Sequence, residues 1–300
     1  MAPAPSGDVA GAELIMPKRL PRARTLKGEP KIAHYDSGGG APGEPPILLL
    51  HQSLARSEDW ENIFPRLATR YRAIAYDARG HGKSGRAPDY SLRAFADDAL
   101  RILREIAKEP SVLIGHSLGA LAALVAAGDA PDLVRGLVLE DPALNYPKAW
   151  VAAEYAPLRE GIAAQDPAVL MKAVSKQRLP SPGPRGERTY GELRGFYAAE
   201  RVVTYFRDVD PAFIDARAAG DEPAAALITD AIGKVRAPVL VLAGEPRLGG
   251  AVDDPAEWRL KKLADVTVKR FPGSGHLLHG FRPEQFIENI EPFLRKLREA

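Results

Sequence analysis

Ser117 stands between two glycines in Gly115-His116-Ser117-Leu118-Gly119, where an apolar run (Ser111–Gly115) gives way to an Ala-rich run (Leu118–Ala127). The chemistry this arrangement suits is nucleophilic attack on a carbonyl carbon. A serine hydroxyl can attack only if the chain turns sharply enough to lift it clear, and the residues two before and two after must lack side chains for that turn to close. A helix starting at Leu118 would also aim its first N–H groups at the negative charge that develops during acyl transfer. With 27 glycines and 11 serines in 300 residues, a G-x-S-x-G arises by accident roughly 0.1 times. The pattern is therefore read as functional rather than as a Gly-rich turn with an incidental serine.

The hydroxyl needs a base. Cysteine is absent, which excludes a thiol nucleophile, thiolate metal sites and disulfides. Six histidines are available: His34, His51, His81, His116, His276 and His279. His276 follows Pro272-Gly273-Ser274-Gly275, directly after the last strand-like run, so it occupies a loop at a strand end from which it can reach Ser117. It is the expected base, and His279 is its rival. His51 and His116 each flank a turn that must be built accurately, and are read as structural.

The elements that would position these residues alternate. Continuous apolar runs at Pro46–His51, Ala73–Tyr76, Ser111–Gly115 and Arg135–Glu140 suit strands buried on both faces. Between them, Trp60–Thr69 reads as a helix. From Ser91 to Lys108, apolar residues at 92, 95, 96, 99, 102, 103 and 106 paint one helix face, with Ser91 as N-cap. The rhythm stops near Pro142 and resumes at Pro238–Leu242. A helix around Ala256–Leu263, a strand at Val266–Phe271 and a helical region from Glu284 follow, in which Pro292 is expected to break or kink the chain. The fold class is α/β: a mostly parallel central sheet flanked by helices, with a helical cap inserted between two core strands. Residues 1–22 read as a flexible extension, 23–142 and 231–300 as the core, and 143–230 as the cap.

From about Arg24 to Leu297 the chain resembles the α/β-hydrolase superfamily. The resemblance rests on the Ser117 elbow, the late Gly275-His276, His51-Gln52-Ser53 followed by Trp60, and Asp77-Ala78-Arg79-Gly80-His81-Gly82-Lys83-Ser84. It implies oxyanion-hole N–H donors at Ser53 and Leu118. It also exposes two departures. The family usually has Gly where this chain has Gln52, and Asp where this chain has Arg247 in Gly244-Glu245-Pro246-Arg247. The triad acid must then come from elsewhere. Asp141, at the end of Arg135–Glu140 where some related dehalogenases and lactone hydrolases carry theirs, is favoured over Glu245. Glu140 ranks third, because alternation points it to the opposite face from Asp141.

Gly80-His81-Gly82-Lys83-Ser84-Gly85 also matches a dinucleotide-binding pattern. Residues Arg86–Tyr90 intervene before the next helix, whereas that motif needs a helix to open at once. The net charge of +2 comes with no polybasic block, so nucleic acid is not an expected partner. No run is long enough for a membrane span, and the first residues have no apolar signal-peptide core, so a cytoplasmic protein is expected. The expected activity is hydrolysis of a carboxylic ester or lactone through an acyl-enzyme on Ser117, with no metal or organic cofactor. Cofactor-free C–C hydrolysis, peracid formation and a non-catalytic ligand receptor are the alternatives. Tyr146, Trp150, Tyr155, Tyr190, Phe196, Tyr197, Tyr205, Phe206 and Phe213 in the insert suit either an apolar or aromatic substrate or simple packing of the cap. The sequence does not define an oligomeric state.

Overall fold

A computed structural model describes residues 20–144, 155, 158–176, 178–179, 188–189, 203–220 and 224–299. The strands are β1 (Arg24–Leu26), β2 (Ile32–Asp36), β3 (Ile47–Leu50), β4 (Ala73–Tyr76), β5 (Ser111–His116), β6 (Val134–Glu140), β7 (Arg178–Leu179), β8 (Arg188–Thr189), β9 (Val239–Ala243) and β10 (Val266–Arg270). Every residue of β2, β3, β4, β5 and β9 is buried, which requires cover on both faces. Eight strands form one sheet in the order β1-β2-β4-β3-β5-β6-β9-β10; β7 and β8 make a separate two-residue ladder. The β1–β2 and β2–β4 pairs are antiparallel and the other pairs of the large sheet are parallel.

The helices are α1 (Phe64–Leu67), α2 (Leu92–Ile102), α3 (Leu118–Asp129), α4 (Pro167–Lys176), α5 (Pro211–Ala219), α6 (Ala224–Lys234), α7 (Asp254–Leu260), α8 (Leu278–Phe281) and α9 (Pro283–Glu299). Strand alternation sorts the core into two layers. Leu48, Leu50, Ile74 and Leu113 pack with Phe95 of α2 and Leu121 and Leu124 of α3. Ile47, Leu49, Ile114 and Leu240 pack with Phe64 of α1 and with Phe286, Ile290 and Leu294 of α9.

The expected α/β architecture is present, with local differences. Trp60–Thr69 is not one helix: Ser57–Trp60 is a 3-10 turn and α1 is a single turn entered through Pro65. Ser91 caps α2 as expected, its Oγ accepting the Ala94 N–H, but the α-helix passes into a π turn at Leu103–Ala107. Pro292 does not break α9, which runs through it to Glu299. Pro292 is exposed, so the carbonyl it leaves unpaired can be hydrated while Phe286, Ile290 and Leu294 hold the opposite face.

Between β6 and β9, which are hydrogen-bonded neighbours, lie α4, α5, α6 and helical residues 158–164 and 203–206. Asp210 anchors α5 to the core: it caps the Ala212 N–H at 3.1 Å and accepts the Tyr90 hydroxyl at 2.6 Å, while its own N–H donates to the Gly80 carbonyl at 2.8 Å. Phe213 packs against His81, Tyr90 and Phe95. Of the nine aromatics named above, Tyr155, Tyr205, Phe206 and Phe213 are buried. Tyr146, Trp150, Tyr190, Phe196 and Tyr197 lie outside the described residues, as does 1–19 of the N-terminal extension.

Candidate active site

The parallel strands all end at one edge of the sheet, and the residues singled out by their chemistry gather there. Ser117 follows β5 with φ +52° and ψ −113°, a backbone state few L-residues adopt. Its N–H donates to the Glu140 carbonyl at 3.0 Å, which pins the turn to the end of β6. The flanking glycines are required. A Cβ on Gly115 would lie 2.5 Å from the Gly119 carbonyl oxygen, and one on Gly119 would enter the carbonyl of Leu50 and come within 2.6 Å of that of His51. Gly119→Ala would therefore push the start of α3 away from the loop after β3. It is expected to cost about 2 kcal/mol of stability or more, read as a lower urea midpoint; an unchanged midpoint would show that the contact relaxes freely.

Asp141 follows β6 and is fully buried. Its Oδ1 accepts the Gly244 N–H at 2.9 Å; its Oδ2 accepts the Ala251 N–H at 2.7 Å and the His276 Nδ1 at 2.6 Å. The His276 carbonyl in turn accepts the His116 Nε2–H at 2.9 Å, tying this loop to the residue beside Ser117. With Nδ1–H engaged by a carboxylate, the lone pair of His276 Nε2 is left to act as a base.

Glu245 does not meet His276. Its carboxylate pairs with Arg247 and accepts the Gly273 N–H at 2.8 Å, and these partners hold its pKa below the usual value. Arg247, at the position of the family's usual Asp, sits in a short turn (Pro246–Leu248) with its side chain largely exposed.

The loop after β3 is held by two neutral histidines. The Ala78 N–H donates to His51 Nε2 at 2.9 Å, and the Leu54 N–H to His81 Nε2 at 3.2 Å. An Nε2 that accepts carries no proton, so Nδ1 does: His51 donates to the Gln52 carbonyl and His81 to the Arg79 carbonyl. Burial lowers both pKa values, that of His81 to about 3, with His51 adding to the effect. Ser53, between these anchors, has no backbone acceptor for its N–H among the described residues, and Leu118 opens α3. The Gln52 side chain donates to Asp59 Oδ2 at 3.3 Å. Gly80 and Gly82, with φ +69° and +52°, fold their loop onto Tyr90 and Asp77 rather than opening a helix.

A family model described as alpha/beta hydrolase fold matches residues 45–283. The chain belongs to the alpha/beta hydrolase family. A relative in Mesorhizobium japonicum, 2-(acetamidomethylene)succinate hydrolase, is 30% identical over 272 residues, covering 83% of this chain and 88% of its own. A crystal structure of E-2-(acetamidomethylene)succinate hydrolase superposes with a TM-score of 0.62 at 25% identity, over 91% of this chain and 99% of that one. A thermophilic esterase from Thermogutta terrifontis gives a TM-score of 0.70 at 21% identity, over 92% and 99% of the two chains. The protein is thus a hydrolase of this fold. Among its described residues no helix is long and apolar enough to cross a membrane.

This hydrolase carries a second histidine–carboxylate pair, His279 with Glu140, the residues that rank behind His276 and Asp141 in the sequence. Glu140 points away from Asp141, as strand alternation requires, and is fully buried. Its Oε1 accepts the N–H groups of Leu278 and His279 at 2.7 and 3.0 Å, and its Oε2 meets His279 Nδ1 at 2.6 Å. His279 Nε2 faces the Asp59 carbonyl at 3.2 Å and Asp59 Oδ2 at 3.6 Å, and its ring stacks on Trp60 with centroids 4.0 Å apart. No motif marks Asp59 in the sequence; only the nearby Trp60 hints at the region.

His116, Glu140 and His279 bring donor atoms within 4.8 Å of one another, a spacing a cation could bridge. Burial alone would lower the His279 pKa, but Glu140 and Asp59 outweigh it and raise it to about 10. Both ring nitrogens of His279 face oxygen acceptors, Glu140 Oε2 and the Asp59 carbonyl, which suits a doubly protonated ring in an ion-pair network. Burial lowers His116 to about 4, and lowers His34 as well.

These shifts predict a pH optimum of stability. The four lowered histidines (His34, His51, His81, His116) contribute fully above the ordinary value of 6.5, and their contribution is lost as pH falls, through about 4 for His116 and about 3 for His81. His279 contributes fully below 6.5, and its contribution is lost as pH rises through about 10. Tm is expected to peak near pH 6.5; a Tm that keeps rising from about pH 7 to about pH 9 would contradict the assignment of His279.

Proposed function

We propose that this hydrolase cleaves a carboxylic ester or lactone through an acyl-enzyme on Ser117, with His276 as base, Asp141 as the acid that orients it, and the Ser53 and Leu118 N–H groups as oxyanion donors. The observation that carries the reading is the 2.6 Å contact of His276 Nδ1 with a fully buried Asp141 held by two backbone N–H groups, on the loop next to the Ser117 turn. As Ser117 Oγ attacks the carbonyl carbon, its proton moves to His276 Nε2. The C–O bond to the leaving alcohol then breaks and the alcohol takes that proton. Water, deprotonated by His276, next attacks the acyl carbon; the acid leaves and the Ser117 hydroxyl is restored. The helices between β6 and β9 would act as the cap (143–230), closing an apolar or aromatic small-molecule ester or lactone over this centre.

Amide hydrolysis is a second reading, favoured by the 30% identity to 2-(acetamidomethylene)succinate hydrolase over most of both chains. The same steps would serve, with His276 protonating a leaving nitrogen instead of an oxygen. A fluorophosphonate probe should label Ser117, located by peptide mass, and a panel of 4-nitrophenyl esters, lactones and N-acyl enamines should then rank the substrates. Labelling elsewhere, or none on folded protein, would reject the nucleophile. Turnover confined to N-acyl substrates would select the amide reading.

A further inference from the structure

We propose that His279, clamped as a cation between Glu140 and Asp59, is a positioning residue for hydrolysis: it locks together the Ser117 turn, the loop that carries His276 and the oxyanion loop. The proposal rests on the function proposed above, and its geometry is fourfold. Glu140 takes the backbone N–H groups of Leu278 and His279, two and three residues after His276. The Glu140 carbonyl takes the Ser117 N–H at 3.0 Å, and its chain neighbour is Asp141. Asp59, across the ring, takes the side chain of Gln52, which lies between His51 and Ser53. Trp60 and Phe286 close the ring's remaining faces, with centroids at 4.0 and 6.0 Å.

Stability alone gives no reason for such a cluster. Taking two carboxylates and an imidazolium out of water is costly, and apolar residues of similar volume usually stabilise a core as well or better. What an ion triad adds is direction: each carboxylate accepts only along its lone pairs, so Glu140 ties the segment after His276 to the end of β6, and Asp59 joins the His279 ring to Gln52 of the loop after β3. Gln52, which replaces the family's usual glycine, extends that order to the loop carrying the Ser53 donor. The charged and titratable groups facing the His279 ring are Glu140 on β6, Asp59 in the 3-10 turn, and His116 on β5 with ring centroids 5.4 Å apart. Since the two carboxylates hold the proton of His279 up to about pH 10, the clamp should open in alkali as that proton is lost.

Three measurements test this. In protein labelled with 13C at histidine Cε1, one imidazolium should persist at about pH 9, and its signal should be the one missing from His279→Gln. With 4-nitrophenyl acetate and spontaneous hydrolysis subtracted, His279→Gln should lower kcat about 30-fold with KM within about twofold, because the loops are displaced while the substrate-binding cap is untouched. Wild-type kcat should fall through an alkaline limb near pH 10, and Asp59→Asn should move that limb down by about one pH unit or more. A His279→Gln enzyme that folds and keeps kcat within about threefold, a limb unmoved in Asp59→Asn, or no persisting imidazolium would each overturn the proposal. If His279→Gln fails to fold, the wild-type spectra and Asp59→Asn still decide. If Ser117→Ala remains active, the proposed hydrolysis fails while the NMR result still reports on the clamp.

Discussion

Replacing Ser117 by alanine is expected to lower kcat by roughly 10⁴- to 10⁶-fold while leaving the fold intact. Ser117 is 9% exposed and its hydroxyl makes no contribution to either apolar layer of the core. Alanine at φ +52° also bears no more backbone strain than serine does. His276→Ala should cost about as much, since a nucleophile and its base act as one unit and their losses do not add. The checks are kcat for both variants on the best panel substrate and a urea melt. Retention of a tenth or more of the activity by Ser117→Ala, with contaminating esterase excluded, would remove Ser117 as nucleophile. His279→Ala is no substitute for the second arm, because it would leave Glu140 buried without its partner.

The second large effect separates two carboxylates. Asp141→Asn should lower kcat by at least about a hundredfold with KM little changed, whereas Glu245→Gln should cost under about tenfold. An asparagine keeps the shape of Asp141 and tolerates its φ of +43°. It cannot keep the bonding. All three partners (the Gly244 N–H, the Ala251 N–H and His276 Nδ1) need an acceptor, and an amide offers only one oxygen. In one orientation the NH₂ group faces the Ala251 N–H and forces His276 into the wrong tautomer. In the other it faces the Gly244 N–H and the tautomer survives, but the charge that stabilises the imidazolium is gone. Either way a buried donor is orphaned, so Asp141→Asn should also lose about 1–3 kcal/mol of stability. Glu245→Gln loses only an exposed pairing with Arg247 and can still accept the Gly273 N–H. The reverse ranking in kcat would transfer the role to Glu245, and two small effects would point to a third carboxylate or a Ser–His dyad.

The candidate catalytic residues differ in how far they could be read from the chain. The Ser117 turn was legible because its requirements are local: two glycines, a buried run before and a helix after, all within a few residues. The strands were legible for the same reason, since runs such as Ile47–Leu50 and Val239–Ala243 have no polar residue to place in water. The insert's aromatics were less so. Phe213 packs on His81, Tyr90 and Phe95 of the core, and nothing in its spacing distinguishes that from lining a pocket.

Which carboxylate meets His276 lay beyond the sequence. Asp141 and Glu245 follow β6 and β9, strands that pair side by side, so both end on the same edge within reach of the same loop. Sequence spacing cannot rank two groups whose separation is set by sheet order. In the folded chain, the N–H groups of Gly244 and Ala251 converge on Asp141, and Arg247 draws Glu245 aside. The same holds for His276 and His279, three residues apart. Alternation along β6 sends Asp141 to one side and Glu140 to the other, and each histidine is held by the carboxylate on its own side. The sequence by itself determined the hydrolase fold and the strand ends at which the candidate residues stand, because those follow from short-range sterics and burial. Only the tertiary structure decided the pairings, because hydrogen bonds between residues more than a hundred positions apart exist only once neighbouring strands are in register.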